Sequence, residues 1–164
     1  HLAQVPTIEI PDGIIQLFAG EYESSACPAR YFSEIIGMDL QMHPRATANL
    51  TLDPQFEHAI LLLEGNGVIE NQPLAEKTLY YLGACRKNLE VKSPNGGRLL
   101  LIGGPPFPEE ILIWWNFVAR SPDEIRQARE DWEAHRRFGD VSGTHLARLS
   151  APDLARFAQP NPAS

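Results

Sequence analysis

At 164 residues the chain is long enough for one domain with a packed core, and its net charge of −7 excludes a surface built to neutralise phosphates. Its hydrophobic content of 43% is ordinary for a globular protein, and no apolar run approaches the roughly 18 residues needed to cross a bilayer. Two cysteines, Cys27 and Cys85, form neither a CxxC pair nor a disulfide framework, which predicts a reducing, cytoplasmic setting; from the charge and the lack of a long apolar run, neither nucleic acid nor a membrane is expected as a direct partner.

In chain order the pattern is that of short strands between turns. Thr7, Ile8, Glu9 and Ile10 alternate as a first short strand, and Pro11-Asp12-Gly13 turns it. Residues 14–20 form a mostly apolar strand ending at Gly20, and residues 21–28 are polar and read as a loop. Residues 38–42 (MDLQM) and 46–52 alternate as half-buried strands should, with Pro44 and Arg45 between them. Residues 59–63 are continuously apolar and stop at Glu64-Gly65, which predicts a buried strand. Gly65-Asn66 then reads as the two-residue turn of a hairpin leading into residues 67–71. Further strands are expected at 78–82, 89–92 and 98–102, with Pro94-Asn95-Gly96-Gly97 as the strongest turn signal. Strands recurring about every ten residues predict an all-β sandwich or barrel.

Residues 103–139 carry the most specific pattern. A Gly-Gly-Pro-Pro turn leads into an apolar strand through Trp114 and Trp115. Ser121-Pro122-Asp123-Glu124 then has a serine N-cap, a proline at the first helical position and a glutamate at the third, a capping box. Ile125, Ala128 and Trp132 fall on one face of the predicted helix. Arg129 with Glu133, and Glu133 with Arg137, are spaced to pair on the outer face, and Gly139 is the expected stop. Arg136-Arg137 with Arg126 and Arg129 is the one basic cluster, and its interleaved acids mark a solvated helix face. Ala151-Pro152-Asp153 can cap a short helix over residues 154–158, in a tail that is either disordered or docked on a neighbour.

Chemistry is sparser. The histidines are His1, His43, His58, His135 and His145, without His-x-His or metal-helix spacing. His43 before Pro44 and His58 before the apolar run are the weak candidates for a metal, with Asp39, Asp53 and Glu57 nearby in sequence; both also fit as strand-edge residues. Glu109 and Glu110 are adjacent, face opposite ways if on a strand, and make a poor acid–base dyad. No nucleophile elbow, P-loop or dinucleotide fingerprint is present, so no catalytic or cofactor-binding residue is assigned. Trp114 and Trp115, on one strand, should point to opposite sides: one into the core, the other to the helix, another domain or a ligand.

Leu63-Glu64-Gly65, the strand 98–102, Gly103-Gly104-Pro105-Pro106, Trp114-Trp115-Asn116-Phe117-Val118-Ala119, the helix from Ser121 through Ala128, Asp131-Trp132 and Phe138-Gly139 together resemble the carboxy-terminal half of the pirin family. The resemblance spans roughly residues 14–139 and is specific from Gly103 onward. It implies one half of a bicupin: a mostly β, jelly-roll-like antiparallel cupin barrel with one carboxy-terminal helix, after a lead-in over 1–13 and before a polar tail over 140–164. In that family the amino-terminal barrel holds iron through three histidines and a glutamate, and some members are quercetin dioxygenases. Here the positions matching the His-x-His motif before Phe56-Glu57 are Thr51 and Asp53, so no iron is expected in this chain. An iron-binding amino-terminal cupin, or another subunit, is the expected partner, and the first residue, His1, suggests a chain cut from a longer one. The barrel interior is expected to comprise Leu50, Leu52, Ile60, Leu62, Leu79, Tyr81, Leu99, Leu101 and Trp114, with the helix packed on it, and a small molecule could enter it. A stand-alone cupin with a site around His43 and His58 is the remaining alternative.

Overall fold

The computed structural model describes residues 4–140 and 142–154. They fall into two compact units, the first ending at Pro106 and the second beginning at Phe107.

The first unit is built from twelve strands: β1 (Thr7–Ile10), β2 (Gly13–Ala19), β3 (Glu21–Tyr22), β4 (Ser25–Ala26), β5 (Ile36–Met42), β6 (Ala46–Thr51), β7 (Glu57–Gly65), β8 (Val68–Ile69), β9 (Gln72–Pro73), β10 (Leu79–Gly83), β11 (Asn88–Ser93) and β12 (Gly97–Gly104). They hydrogen-bond as a six-stranded sheet, β1-β2-β5-β12-β7-β10, and a four-stranded sheet, β6-β11-β8-β9, with β3 and β4 as a small ribbon. All pairings between these strands are antiparallel. In place of the expected closed barrel, two open sheets surround one shared core. Period-two alternation sends Ile15, Leu17, Met38, Leu40, Leu99 and Leu101 inward from the larger sheet. Ala48, Leu50, Ile69 and Val91 meet them from the smaller one. Burying each large aliphatic side chain contributes about 1.5–3 kcal/mol before chain entropy is set against it.

The chain passes between the two sheets six times, and two of these passages interlock. The first, Gly65-Asn66, was expected to close a hairpin. Instead β7 pairs with β12 and β10, whereas β8 pairs with β11 and β9, so the chain changes sheet there. Residues 94–96 do the same between β11 and β12. The two passages clasp each other: Asn66 N donates to Gly96 O at 2.9 Å, Ser93 Oγ to Asn66 O at 2.6 Å, and Asn95 Nδ2 to Asn66 Oδ1 at 2.9 Å. Gly65, at φ 82°, has its would-be Cβ only 2.5 Å from Gly96 O, so only glycine fits this crossing.

Of the expected interior, Leu50, Leu52, Ile60, Leu62, Leu99 and Leu101 are buried in the core. On β10 the phase is inverted: Leu79 is 57% and Tyr81 69% exposed, while Tyr80 and Leu82 pack on the core. An unbroken apolar run such as Leu79-Tyr80-Tyr81-Leu82 carries no alternation, and one residue of slip exchanges the faces.

In the second unit, β13 (Leu112–Trp114) and β14 (Phe117–Ala119) form a hairpin, followed by the helix α1 (Pro122–Glu133). The expected continuous strand through Trp115 is broken because Trp115-Asn116 is the turn, with Trp115 in the left-handed region at φ 51°. Ser121 caps α1 by accepting from Glu124 N at 3.3 Å. Glu124 reaches past the cap, accepting from Arg120 N at 2.9 Å and pairing with its guanidinium at 3.0 Å. Ile125 and Ala128 are buried with Phe117 and Ala151, and Trp114, Trp115 and Trp132 pack around them. The apolar face of the helix and Trp114 therefore belong to a core of this unit's own, where a place in the barrel was expected.

α1 ends at Glu133, ahead of Gly139, with His135 and Arg137 both in the left-handed region. In place of the pairs expected within the helix, Arg129 and Glu133 bond to residues further along the chain. Arg129 Nε donates to Pro152 O at 3.0 Å, and Glu133 Oε1 accepts from Ala151 N at 2.6 Å. Trp132 Nε1 donates to Leu149 O at 2.8 Å, and the Arg148 guanidinium lies 4.2 Å from the Trp132 ring centroid. The tail thus docks on the helix of its own unit as far as residue 154. The helix expected over 154–158 lies almost wholly outside the described residues.

Candidate functional site

The first unit contains a cavity of about 680 Å³ at one end of the sandwich. β5 supplies Ile36 and Met38, the end of β6 supplies Thr51, and the start of β7 supplies His58. The outer wall is drawn from the segment between Gly20 and Ile36, held by its own bonds. Cys27 N donates to Gly20 O at 2.9 Å, Cys27 Sγ to Phe18 O at 3.2 Å, and the Tyr31 hydroxyl to Phe18 O at 3.3 Å. A volume of this size accommodates a small organic molecule.

His58 is the most constrained polar group there. It is 2% exposed, and its Nδ1 has no hydrogen-bond partner among the described residues. Its ring lies against Phe56, with centroids 6.2 Å apart. β12 also approaches it closely, and a Cβ on Gly103 would stand 2.7 Å from His58 Cδ2. Burial pushes the imidazole below its ordinary pKa; Asp53 opposes the shift and Arg86 adds to it. His58 is therefore neutral at pH 7. The buried Tyr22 accepts from Thr51 N at 3.2 Å, and burial raises its pKa so that it remains a phenol.

Thr51 and Asp53, the positions matching the family's His-x-His, line this same cavity with His58. Asp53 Oδ1 accepts from Gln55 N at 2.8 Å, an Asx turn. Among the described residues no three His, Cys, Asp or Glu side chains are placed to hold a metal ion. The cavity offers one imidazole, His58, and the carboxylates of Glu21, Glu34 and Asp53, which are not brought together as a ligand set, and this arrangement does not fit iron.

His43 and His58 do not form one site. His43 is exposed and follows β5, whose last residue Met42 is level with Gly97, whereas His58 is level with Gly103. That stretch of β12 separates the two levels by about 20 Å. His43 borders a second cavity of about 550 Å³ with Glu64, Gly96 and Arg98. Arg98 is itself committed to the buried Asp39, with both carboxylate oxygens within 3.0 Å. His135 belongs to the second unit, where its Nδ1 is 3.4 Å from Asp140 Oδ1; His145 is also there and is exposed, and His1 lies outside the described residues. Trp114 and Trp115 both face the aromatic cluster, with Trp114 stacked on Phe117 at 6.2 Å and Trp115 edge-on to Trp132 at 5.4 Å. The left-handed turn at Trp115 brings side chains expected on opposite sides into one cluster.

Sequence reasoning missed the outer wall. Tyr22, Cys27 and Tyr31 sit in a polar stretch without periodicity, and only the aromatics within it hint at burial.

A family model described as the pirin C-terminal cupin domain matches residues 37–139. A Pseudomonas aeruginosa protein named "Putative quercetin 2,3-dioxygenase PA1205" is 42% identical over 155 residues, covering 94% of this chain and 49% of that protein. A "Pirin-like protein" of Caulobacter vibrioides is 28% identical over 134 residues, covering 82% of this chain and 46% of that protein. Among solved structures, a quercetin 2,3-dioxygenase from Acinetobacter baumannii superposes with a TM-score of 0.85 at 33% identity, over 96% of this chain and 52% of that one. The chain therefore spans about half the length of the relatives it matches. With a mostly β fold of two sheets around one core, and a matched segment running from β5 through Gly139, the chain belongs to the pirin family as its carboxy-terminal cupin domain.

Proposed function

We propose that this chain is the half of a quercetin-dioxygenase-like bicupin that carries no redox metal, and that it acts as a structural and ligand-binding partner to an iron-binding amino-terminal cupin. The observation behind this reading is the donor set at the cavity. Thr51 and Asp53 occupy the positions where imidazoles would be required, and His58 is flanked by Phe56 rather than by a second ligand. A threonine hydroxyl does not replace a neutral imidazole on iron. The names of the similar proteins favour oxygenase chemistry for the whole molecule.

Two measurements test this. Elemental analysis of the purified chain should give iron well below one equivalent. Quercetin turnover should appear in the full-length protein and be lost in this chain alone. One bound iron per chain, released by His58→Ala, would overturn the proposal and favour a stand-alone metal cupin.

A further inference from the structure

The cavity at His58 has a charge character of its own. The charged side chains lining it are Glu21, Glu34 and Asp53, and no lysine or arginine lines it among the described residues. Arg86, the cation that acts on His58, is held by Glu70 and by Leu82 O at 2.7 Å. The walls include the rings of Tyr22 and Phe56, and aromatic faces attract positive charge. His58 brings a buried, neutral imidazole with a nitrogen lacking any partner among the described residues. Three carboxylates and a neutral imidazole are a predominantly accepting set, and a ligand that satisfies them must donate hydrogen bonds. Carboxylates beside an apolar wall also produce a field that concentrates cations and repels anions.

We propose that this cavity is a binding site for a small organic ammonium ion, its N–H groups directed to the carboxylates and His58 and its apolar part against the rings. This goes beyond the structural role proposed above and does not depend on where iron is bound.

Calorimetric titration of the purified chain with benzylammonium, benzyl alcohol and benzoate tests it, because the three probes share a ring and differ in charge. Benzylammonium should bind saturably, roughly tenfold more tightly than benzyl alcohol at low ionic strength, with benzoate weakest. The preference should shrink as salt screens the rim. The triple variant Glu21→Gln, Glu34→Gln, Asp53→Asn keeps the side-chain shapes, and the new amide at position 53 still offers an oxygen to Gln55 N. It should bind ammonium and alcohol about equally. If the triple variant melts early, Glu34→Gln alone, at the exposed rim, should show a partial loss of preference. Equal or tighter binding of benzoate, no saturable binding of benzylammonium, or a preference that survives removal of the carboxylates would overturn the proposal. Iron content bears only on the structural reading, so the two can fail separately.

Discussion

His58 links stability to pH. Its folded pKa lies below the unfolded value of 6.5, so well above that value both states are neutral and the group adds no pH dependence. As pH falls through 6.5 the unfolded chain takes up a proton that the folded chain resists, and stability declines until the folded pKa is passed. We expect His58→Phe to flatten the stability profile as pH falls through 6.5, by roughly 1.4 kcal/mol for each tenfold difference in proton affinity between the unfolded and folded imidazole. Denaturant melts above and below that pH, with NMR titration of the imidazole, provide the check. Its neighbour Gly103 gives a second expectation. A Cβ there would lie 2.7 Å from both Glu57 O and His58 Cδ2, and the backbone oxygen cannot rotate away. Gly103→Ala should cost about 1–3 kcal/mol by equilibrium unfolding and disturb the His58 signals.

Among the elements, α1 is the most legible in the sequence because its start is written in side-chain chemistry. Ser121 and Pro122 occupy the cap and first turn as the capping rules require. Removing the cap with Ser121→Ala should destabilise the second unit by about 1 kcal/mol, seen as faster amide exchange in the first turn of the helix. The helix's end is illegible, because His135 and Arg137 adopt backbone conformations usually left to glycine or asparagine. The strap over residues 149–152 is equally hidden: its bonds to Arg129, Trp132 and Glu133 use backbone carbonyls and an amide, which no residue type announces. Trp132→Phe keeps an aromatic ring but deletes the bond to Leu149 O and part of the indole packing on Trp115, Phe117 and Phe138. It should cost about 1–3 kcal/mol, and amide exchange should accelerate in the strap. Strands with true alternation, such as β6 and β11, show their buried face in the sequence. β10 does not, since Leu79-Tyr80-Tyr81-Leu82 has no charged residue to mark a face.

For the whole molecule, the family is easier to read from the sequence than the site. Residues 103–139 carry the family pattern through turn and capping residues, whereas much of the cavity wall comes from a stretch whose only order is tertiary. The division after Pro106 is not announced by the sequence, because a Gly-Gly-Pro-Pro turn joins neighbouring strands as readily as it separates two units. The connecting stretch is exposed, with Phe107 at 69%, and lies outside any strand or helix until Leu112. It carries two exposed glutamates, Glu109 and Glu110. Limited digestion with a glutamate-specific protease should therefore cut there before it cuts at Glu57 or Glu64 in β7, as mass spectrometry of the first fragments would show. An initial cut inside the sheets would contradict the division.

The aromatic cluster of the second unit has an optical consequence. All three tryptophans of the chain, Trp114, Trp115 and Trp132, lie in the second unit, whereas its four tyrosines, Tyr22, Tyr31, Tyr80 and Tyr81, lie in the first. Light absorbed by indole alone therefore reports the hairpin and helix, while phenol absorbance follows the sandwich and its cavity. The protein carries a separate intrinsic chromophore for each of its units, and the order in which they melt can be read without attaching a label.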